Sequence, residues 1–360
     1  MTSQLDISVV VCSLNGASKI PATLTALNEQ TIRDRIDLVV VDDGSTDGLA
    51  DVAASHGARV VRHDVNRGLA AARNTGVLAA KAEIVAFVDD DCQPCADWAE
   101  RLLEGYAAPE VLGVGGPALP TDDAPFVLEY LAANNPLRPL ELDLAESNRI
   151  AYRVWRYVLR DLLPNGPNPT ERAVFMIIGA NMSFRREALV EAGLFDERFR
   201  FGGDEEDLCR RLVLDRGPDS LRYLPGAVIL HEFKPSLRDT LRRSFAYGKG
   251  NARMLLKHSE LSPTVYPAPI LVIGLLAAGV ATRRPSIALA AVLLPQLAFP
   301  KHLLRLVESR NWRCLLWPYL QLGQETFSDA GFVVGYRQFR PLFRGRVQGH
   351  PTDLSQRGLS

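Results

Sequence analysis

A chain of 360 residues, 47% hydrophobic and 23% charged, has a globular composition and is long enough for one large domain or two ordinary ones. Its formal net charge of −1 leaves no basic excess and excludes nucleic acid as the expected partner. An odd set of cysteines (Cys12, Cys92, Cys95, Cys209, Cys314) behind an opening MTSQLDISVVV with no secretory signal reads as free thiols in a reducing compartment.

The first hundred residues alternate between two periods. ISVVVCSLN (7–15) is a short β-branched run, hence a buried strand, and KIPATLTALNEQ (19–30) has helical spacing. IDLVVVDDGSTD (36–47) is a second strand ending in turn residues. GLADVAASHG (48–57) is a helix closed by Gly57. ARVVRH (58–63) is a short strand, GLAAARNTGVLAA (68–80) a helix and EIVAFVDDD (83–91) the next strand. Strand and helix alternating at this pitch predict a parallel sheet covered on both faces, with ligands bound beyond the carboxyl ends of the strands. Ser13 and Asn15, Asp42 and Asp43, and Asp89 to Asp91 would then meet on one edge.

Residues 117–172 carry recurrent Pro and Asn around an aromatic helix-like stretch, YRVWRYVLRDLL, and are expected to form a variable loop region. VFMIIGANMSFRREALVEAG (174–193) reads as strand, turn and helix, and LRYLPGAVILHEF (221–233) as a strand pair or edge strand ending near His231. A domain boundary is placed at residues 233/234. Beyond it, SLRDTLRRSFAYGKGNARMLLKH is helical and basic. Two apolar runs, APILVIGLLAAGVAT and SIALAAVLLPQLAFP, flank Arg283-Arg284-Pro285 within a 265–300 hairpin. Each run is shorter than the roughly 20 residues that span a bilayer, and each is apolar all round. The expectation is a monotopic or re-entrant hairpin at the cytoplasmic face of a membrane, with a soluble helical hairpin as the alternative.

Four motifs carry chemistry. In VVVDDGSTDG, Asp42 and Asp43 could accept hydrogen bonds from a nucleobase or ribose, or could serve only as turn residues. In NRGLAAARNTG, Arg73 could answer a phosphate or hold a strand-end carboxylate. In FVDDDC, three adjacent carboxylates repel unless a cation sits among them. Asp89 and Asp91, two apart, suit Mn²⁺ or Mg²⁺ completed by diphosphate oxygens and water. In FGGDEEDLCRRL, four acids open a helix, more than capping requires, and one could act as general base. His231 could complete a metal shell. The Cys92-x-x-Cys95 pair has no second pair at zinc spacing and reads as two ordinary thiols.

ISVVVCSLN, VVVDDGSTD, NRGLAAARNTG, FVDDDC, GANMSFRREAL, GGDEEDLCRRL and YLPGAVILHE occur in this order. Over about residues 5 to 233 the chain resembles family 2 glycosyltransferases of GT-A fold, an α/β Rossmann-like, mostly parallel sheet with helices on both faces. The resemblance implies a nucleotide-diphosphate sugar donor (UDP-, GDP- or dTDP-linked), a divalent cation, and inversion at the anomeric carbon during transfer to a glycan or lipid-linked acceptor. It puts Asp42 or Asp43 on the nucleoside beside the backbone of Cys12, Ser13 and Asn15. Asp89 falls near the ribose or metal, Asp90 beside the donor, Asp91 as principal metal ligand and His231 as a further one, with Asn181 near the sugar or acceptor. The family's Glu-Asp acceptor motif appears here with its acids exchanged, Asp204-Glu205; register favours Glu205 as base and leaves Asp204 open. The competing readings are a catalytically silent nucleotide-sugar-binding protein and a nucleotidyltransferase. CSLNGASKIPA, with one Gly and one Lys, is a thin phosphate loop for the latter.

Overall fold

The computed structural model describes residues 5–122, 125–134, 149–159, 172–174, 176–199 and 202–343. The chain divides into two compact units, one of Met1–Thr121, Pro167–Phe233 and Leu342–Ser360, the other of Asp122–Gly166 and Lys234–Pro341.

The first unit holds two sheets. Strands β1 (Ile7–Ser13), β2 (Ile36–Asp42), β3 (Arg59–Arg62) and β4 (Ile84–Asp89) alternate with helices α1 (Ile20–Asn28), α2 (Leu49–Ser55) and α3 (Leu69–Ala79). Strands β5 (Cys92–Pro94), β6 (Gly113–Gly115), β7 (Ala118–Pro120), β8 (Arg172–Ala173), β9 (Asn181–Arg185), β10 (Leu221–Tyr223) and β11 (Ile229–His231) follow. The larger sheet has eight strands in the order β3-β2-β1-β4-β9-β6-β10-β8, and β5-β11-β7 form a second sheet of three. Strands β3, β2, β1 and β4 are parallel, as the alternating periods predict. The parallel pattern breaks at β9, which runs antiparallel to both β4 and β6, and at the short β8, antiparallel to β10. A strand buried on both faces is an unbroken apolar run in either direction, so periodicity carries no sign for it.

Residues 176–180 do not extend β9 as expected; the strand begins at Asn181. Met176 and Ile177 are buried without joining the ladder, which is why the run looks strand-like in sequence. Within 117–172, the helix Ile150–Leu159 falls on the helix-like stretch YRVWRYVLRDLL, while β7 and the helix Phe126–Ala133 are ordered elements where loop was expected. The rest of that expectation, including Pro164 to Pro169, lies outside the described residues.

Register positions the functional edge. Ser13 pairs with Asp42 and Cys12 with Asp89, so the carboxyl ends of β1, β2 and β4 finish level with one another. Beneath them β-branched and apolar side chains (Val9, Val11, Val40, Val88) are buried in one core cluster. Closing these hydrophobic layers fixes the height at which the acids emerge.

The second unit is helical among its described residues: Leu237–Lys257, Pro267–Thr282, Pro285–Ala298, Pro300–Ser309 and Trp317–Phe343, the last running just past the unit's end. The Leu237–Lys257 and Trp317–Phe343 helices touch backbone to backbone. A Cβ on Gly248 would overlap the Ser328 carbonyl, and one on Gly331 the Phe245 carbonyl. Helix Pro267–Thr282 ends on Arg283 in left-handed backbone, φ 54°, and Pro285 opens the next helix. Large apolar side chains on this hairpin, among them Ile270, Ile273, Val280, Leu289, Leu293 and Leu297, are exposed.

Gly248→Ala should destabilise the second unit by about 1–3 kcal/mol through overpacking. Gly274→Ala, where nothing lies within 4 Å of the added Cβ, should be neutral or slightly stabilising. Denaturant unfolding followed by Trp312 and Trp317 fluorescence checks both.

Candidate active site

At the β1 and β2 ends the turn chemistry is dense. Gly44 and Gly48 take φ of 85° and 81°, so the chain turns sharply after Asp43. The Ser45 amide donates to Asp42 Oδ1 at 2.7 Å, and Arg62 Nε lies 3.4 Å from Asp42 Oδ2. Asp43 accepts from the amides of Arg67 (2.9 Å) and Gly68 (2.8 Å) and meets His63 Nδ1 at 2.6 Å, while His63 Nε2 lies 2.8 Å from Thr75 Oγ1. Asn15, in left-handed backbone, accepts from the Thr46 amide at 3.0 Å. Burial pushes the Cys12 thiol up to about 12, so it is neutral.

At the β4 end, Asp89, Asp90 and Asp91 are each partly exposed. The Ser13 hydroxyl donates to Asp90, whose carboxyl is raised by burial, with the Ser13 bond opposing. A side chain on Gly16 would overlap both partners, so that contact requires glycine. Asp91 Oδ1 lies 3.7 Å from His231 Nε2, and Asp91 Oδ2 lies 3.7 Å from Lys19 Nζ. The antiparallel pairing of β11 with β5 sets His231 opposite Cys92, and the His231 ring stacks on Phe233 at 4.0 Å.

Asp91, His231 and Cys92 offer ligand atoms within 4.8 Å of one another. Burial, then the nearby carboxylates, push the Cys92 thiol well up, which leaves one oxygen and one nitrogen as the ready donors. That pair, with Asp91 18% exposed, fits an ion that takes its remaining ligands from a bound phosphate group and water.

The acid pair opens the helix Asp204–Arg216, whose N-cap, Gly203, has φ 89°. Asp204 is fully buried. Its Oδ2 takes Arg73 Nη1 at 2.6 Å, and its Oδ1 has no donor among the described residues. The Glu205 side chain is 21% exposed and lies 3.8 Å from the same guanidinium nitrogen. Burial, then the charge of Asp204, raise the Glu205 carboxyl well above the ordinary carboxylate range; Arg73 opposes them and the hydrogen bond to Asp204 adds to them. Asp207, at the far side of the same turn, is buried and paired with Arg211 at 2.8 Å.

The sequence-predicted residues thus separate. Asp42, Asp43, Ser13, Cys12 and Asn15 gather at one strand-end edge with Asp89 to Asp91, and His231 joins Asp91. Arg73 is buried; its short bond goes to the helix-start Asp204 at 2.6 Å, and the strand-end Asp89, the kind of partner expected, lies 3.9 Å away. Asn181 is buried beneath the surface. It accepts from Trp98 Nε1 at 2.8 Å and donates to the Pro117 and Ala227 carbonyls at 3.0 and 2.8 Å, so its amide already has three partners. Sequence reasoning missed Lys19, His63 and Gly179. A Cβ at Gly179 would press on the Arg73 guanidinium at 2.8 Å, and only the Gly in IIGAN hinted at that crowding.

The profile of glycosyl transferase family 2 matches residues 8–192. The chain belongs to glycosyl transferase family 2. This family 2 transferase is 30% identical over 280 residues to the pre-mycofactocin glycosyltransferase of Mycobacterium tuberculosis, a match covering 76% of this chain and 51% of that protein. It spans about half the length of that relative. The glycosyltransferase EpsJ of Bacillus subtilis is 27% identical over 257 residues, covering 66% of this chain and 67% of its own. Among solved structures, the mannosyltransferase PcManGT of Pyrobaculum calidifontis, in complex with GDP-Man and Mn²⁺, superimposes with TM-score 0.54 at 19% identity, over 95% of this chain and 89% of its own. That likeness concerns the GT-A architecture alone.

Asp43→Ala in the transferase removes the acceptor for two amides and the partner of a buried histidine. It should cost on the order of 3 kcal/mol in stability and speed hydrogen exchange at the Arg67 and Gly68 amides. Mass-spectrometric exchange on the intact chain checks it.

Proposed function

We propose that this chain is a metal-dependent, inverting glycosyltransferase that moves a sugar from a nucleoside-diphosphate donor to a hydroxyl of a glycan or lipid-linked acceptor at a membrane surface. The observation that carries this reading is a division of labour among carboxylates on one sheet edge. Asp91 lies 3.7 Å from His231 Nε2, a pair suited to a cation, while Glu205 is a partly exposed acid with a raised proton affinity, set on a fully buried ion pair. Family membership supports the transfer reaction, and the strand-end location supports a nucleotide ligand.

In this reading Asp91 and His231 would hold the divalent cation, with Asp89 nearby; a bound Mn²⁺ or Mg²⁺ would take up charge developing on the departing diphosphate. The nucleoside lies along the β1 and β2 ends, by the backbone of Cys12, Ser13 and Asn15. Of the two aspartates there, Asp42 is the better candidate for it, because its Oδ2 has the looser contact, Arg62 Nε at 3.4 Å, whereas both oxygens of Asp43 take hydrogen bonds of 2.6–2.9 Å. Glu205 accepts the proton of the attacking hydroxyl. A carboxylate whose proton affinity is raised is a stronger base than an ordinary one. Asp204, buried and bonded to Arg73, cannot reach an acceptor and serves to hold Glu205. One base suits a single displacement, in which the acceptor oxygen enters opposite the leaving group and the configuration inverts.

The hairpin of the second unit supports membrane attachment. Among the described residues no helix is long and apolar enough to cross a bilayer alone, although Pro285–Ala298 and Pro300–Ser309 pass together as a pair bent by 65°. A hairpin with outward apolar side chains and Arg283-Arg284 at its tip suits insertion into one leaflet.

Three outcomes are expected. Asp91→Asn should abolish the release of nucleoside diphosphate from a panel of nucleotide sugars in the presence of Mn²⁺, as chelator should for the unchanged chain; retained metal-dependent release contradicts the metal assignment. Glu205→Gln should lower transfer at least about 10²-fold with donor affinity unchanged, and the acid limb of the pH–rate profile of the unchanged chain should lie above the ordinary carboxylate range, because a raised carboxyl must lose its proton before it can act. Ile273→Glu with Leu293→Glu should release the protein from anionic vesicles in flotation.

A further inference from the structure

Arg73 sits where the mechanism above has no direct use for it. Its guanidinium, only 4% exposed, lies 2.6 Å from Asp204, 3.8 Å from Glu205 and 3.9 Å from Asp89. It also donates to the Gly179 carbonyl at 3.1 Å and packs 5.6 Å from the centre of the Phe195 ring. A cation enclosed on all these sides cannot reach out to a donor phosphate. Resting on the reading of Glu205 as base, we propose that Arg73 is a positioning residue for transfer: it pins Asp204 in place and leaves Glu205 as the member of the acid pair that exchanges a proton with the acceptor.

The geometry divides the pair. One cation serves three carboxylates, and Asp204 takes the short bond. Two adjacent acids this close share a proton unless their environments differ, and the ion pair with Arg73 makes them differ. A proton held by the pair therefore falls on Glu205, whose carboxyl is raised, and a protonated Glu205 would be a donor beside the otherwise unmatched Asp204 Oδ1. The other groups facing Glu205 are Glu206 on its own turn and Cys209 on the next. Burial lifts the Cys209 thiol to about 12, so it stays neutral and does not compete. The Cys12 thiol beside Arg73 is likewise neutral. The guanidinium also lies 3.9 Å from Asp89, so Arg73 ties the base to the β4 end.

The test needs no substrate. Glutamate labelled with ¹³C at the side-chain carboxyl reports the protonation of Glu205 in the intact chain by NMR, with Glu205→Gln assigning its resonance. The unchanged protein should show Glu205 titrating above the ordinary glutamate range. Arg73→Met should move that midpoint up by about one pH unit or more, since an adjacent positive charge is removed. Asp204→Asn should move it down, and Arg73→Met with Asp204→Asn should fall between the two. Arg73→Lys, which keeps the charge on a fold-sparing side chain, should shift it less than Arg73→Met; the Asp204→Asn shift decides the matter if Arg73→Met does not fold. A Glu205 midpoint that stays within the ordinary range, or that ignores these changes, overturns the inference. Because no turnover is read, that outcome is distinct from Glu205→Gln retaining transfer, which would overturn the base assignment itself.

Discussion

Like charge crowded on one sheet edge is the constraint around which the first unit is arranged. The level register of β1, β2 and β4 brings Asp42, Asp43 and Asp89 to one height, and the chain then adds Asp90, Asp91 and, from another helix, Asp204 and Glu205. Such a set is tolerated only where each charge has a donor or a cation. Asp43 is matched by amides and His63, Asp42 by an amide and Arg62, and Asp90 by the Ser13 hydroxyl. Asp204 is matched by Arg73 and Asp207 by Arg211. Asp91 is matched loosely, by Lys19 and His231 at 3.7 Å each, and an external cation there would relieve the crowding.

Much of this was legible in the sequence because the signals are local. The first seven elements follow from runs of β-branched residues broken by Gly, Asn and Asp, and their observed bounds differ from the expected ones by a few residues at the ends. The acidic motifs sit on strand ends and a helix start because those are the places where a chain leaves the core. The direction of β9 was not legible, nor was the irregular backbone from 176 to 180, because burial alone makes both look like parallel strand.

Partnerships across the sequence were the other blind spot. Arg73 and Asp204 are 131 positions apart, and nothing local to NRGLAAARNTG says which of its two readings holds. Asn181 looks like a surface polar residue in GANMSF, yet Trp98, Pro117 and Ala227 surround its amide. A buried polar side chain with three hydrogen bonds made holds local geometry, and here it holds the start of β9.

The account rests on a divalent ion bridging the β4 end to a nucleoside diphosphate. Anomalous diffraction at the manganese edge, from crystals soaked with Mn²⁺ and UDP or GDP, tests that most directly. The account predicts a peak within coordination distance of Asp91 and His231 Nε2, with the diphosphate completing its shell. Nucleotide bound at this edge with no ion beside those two side chains would contradict it.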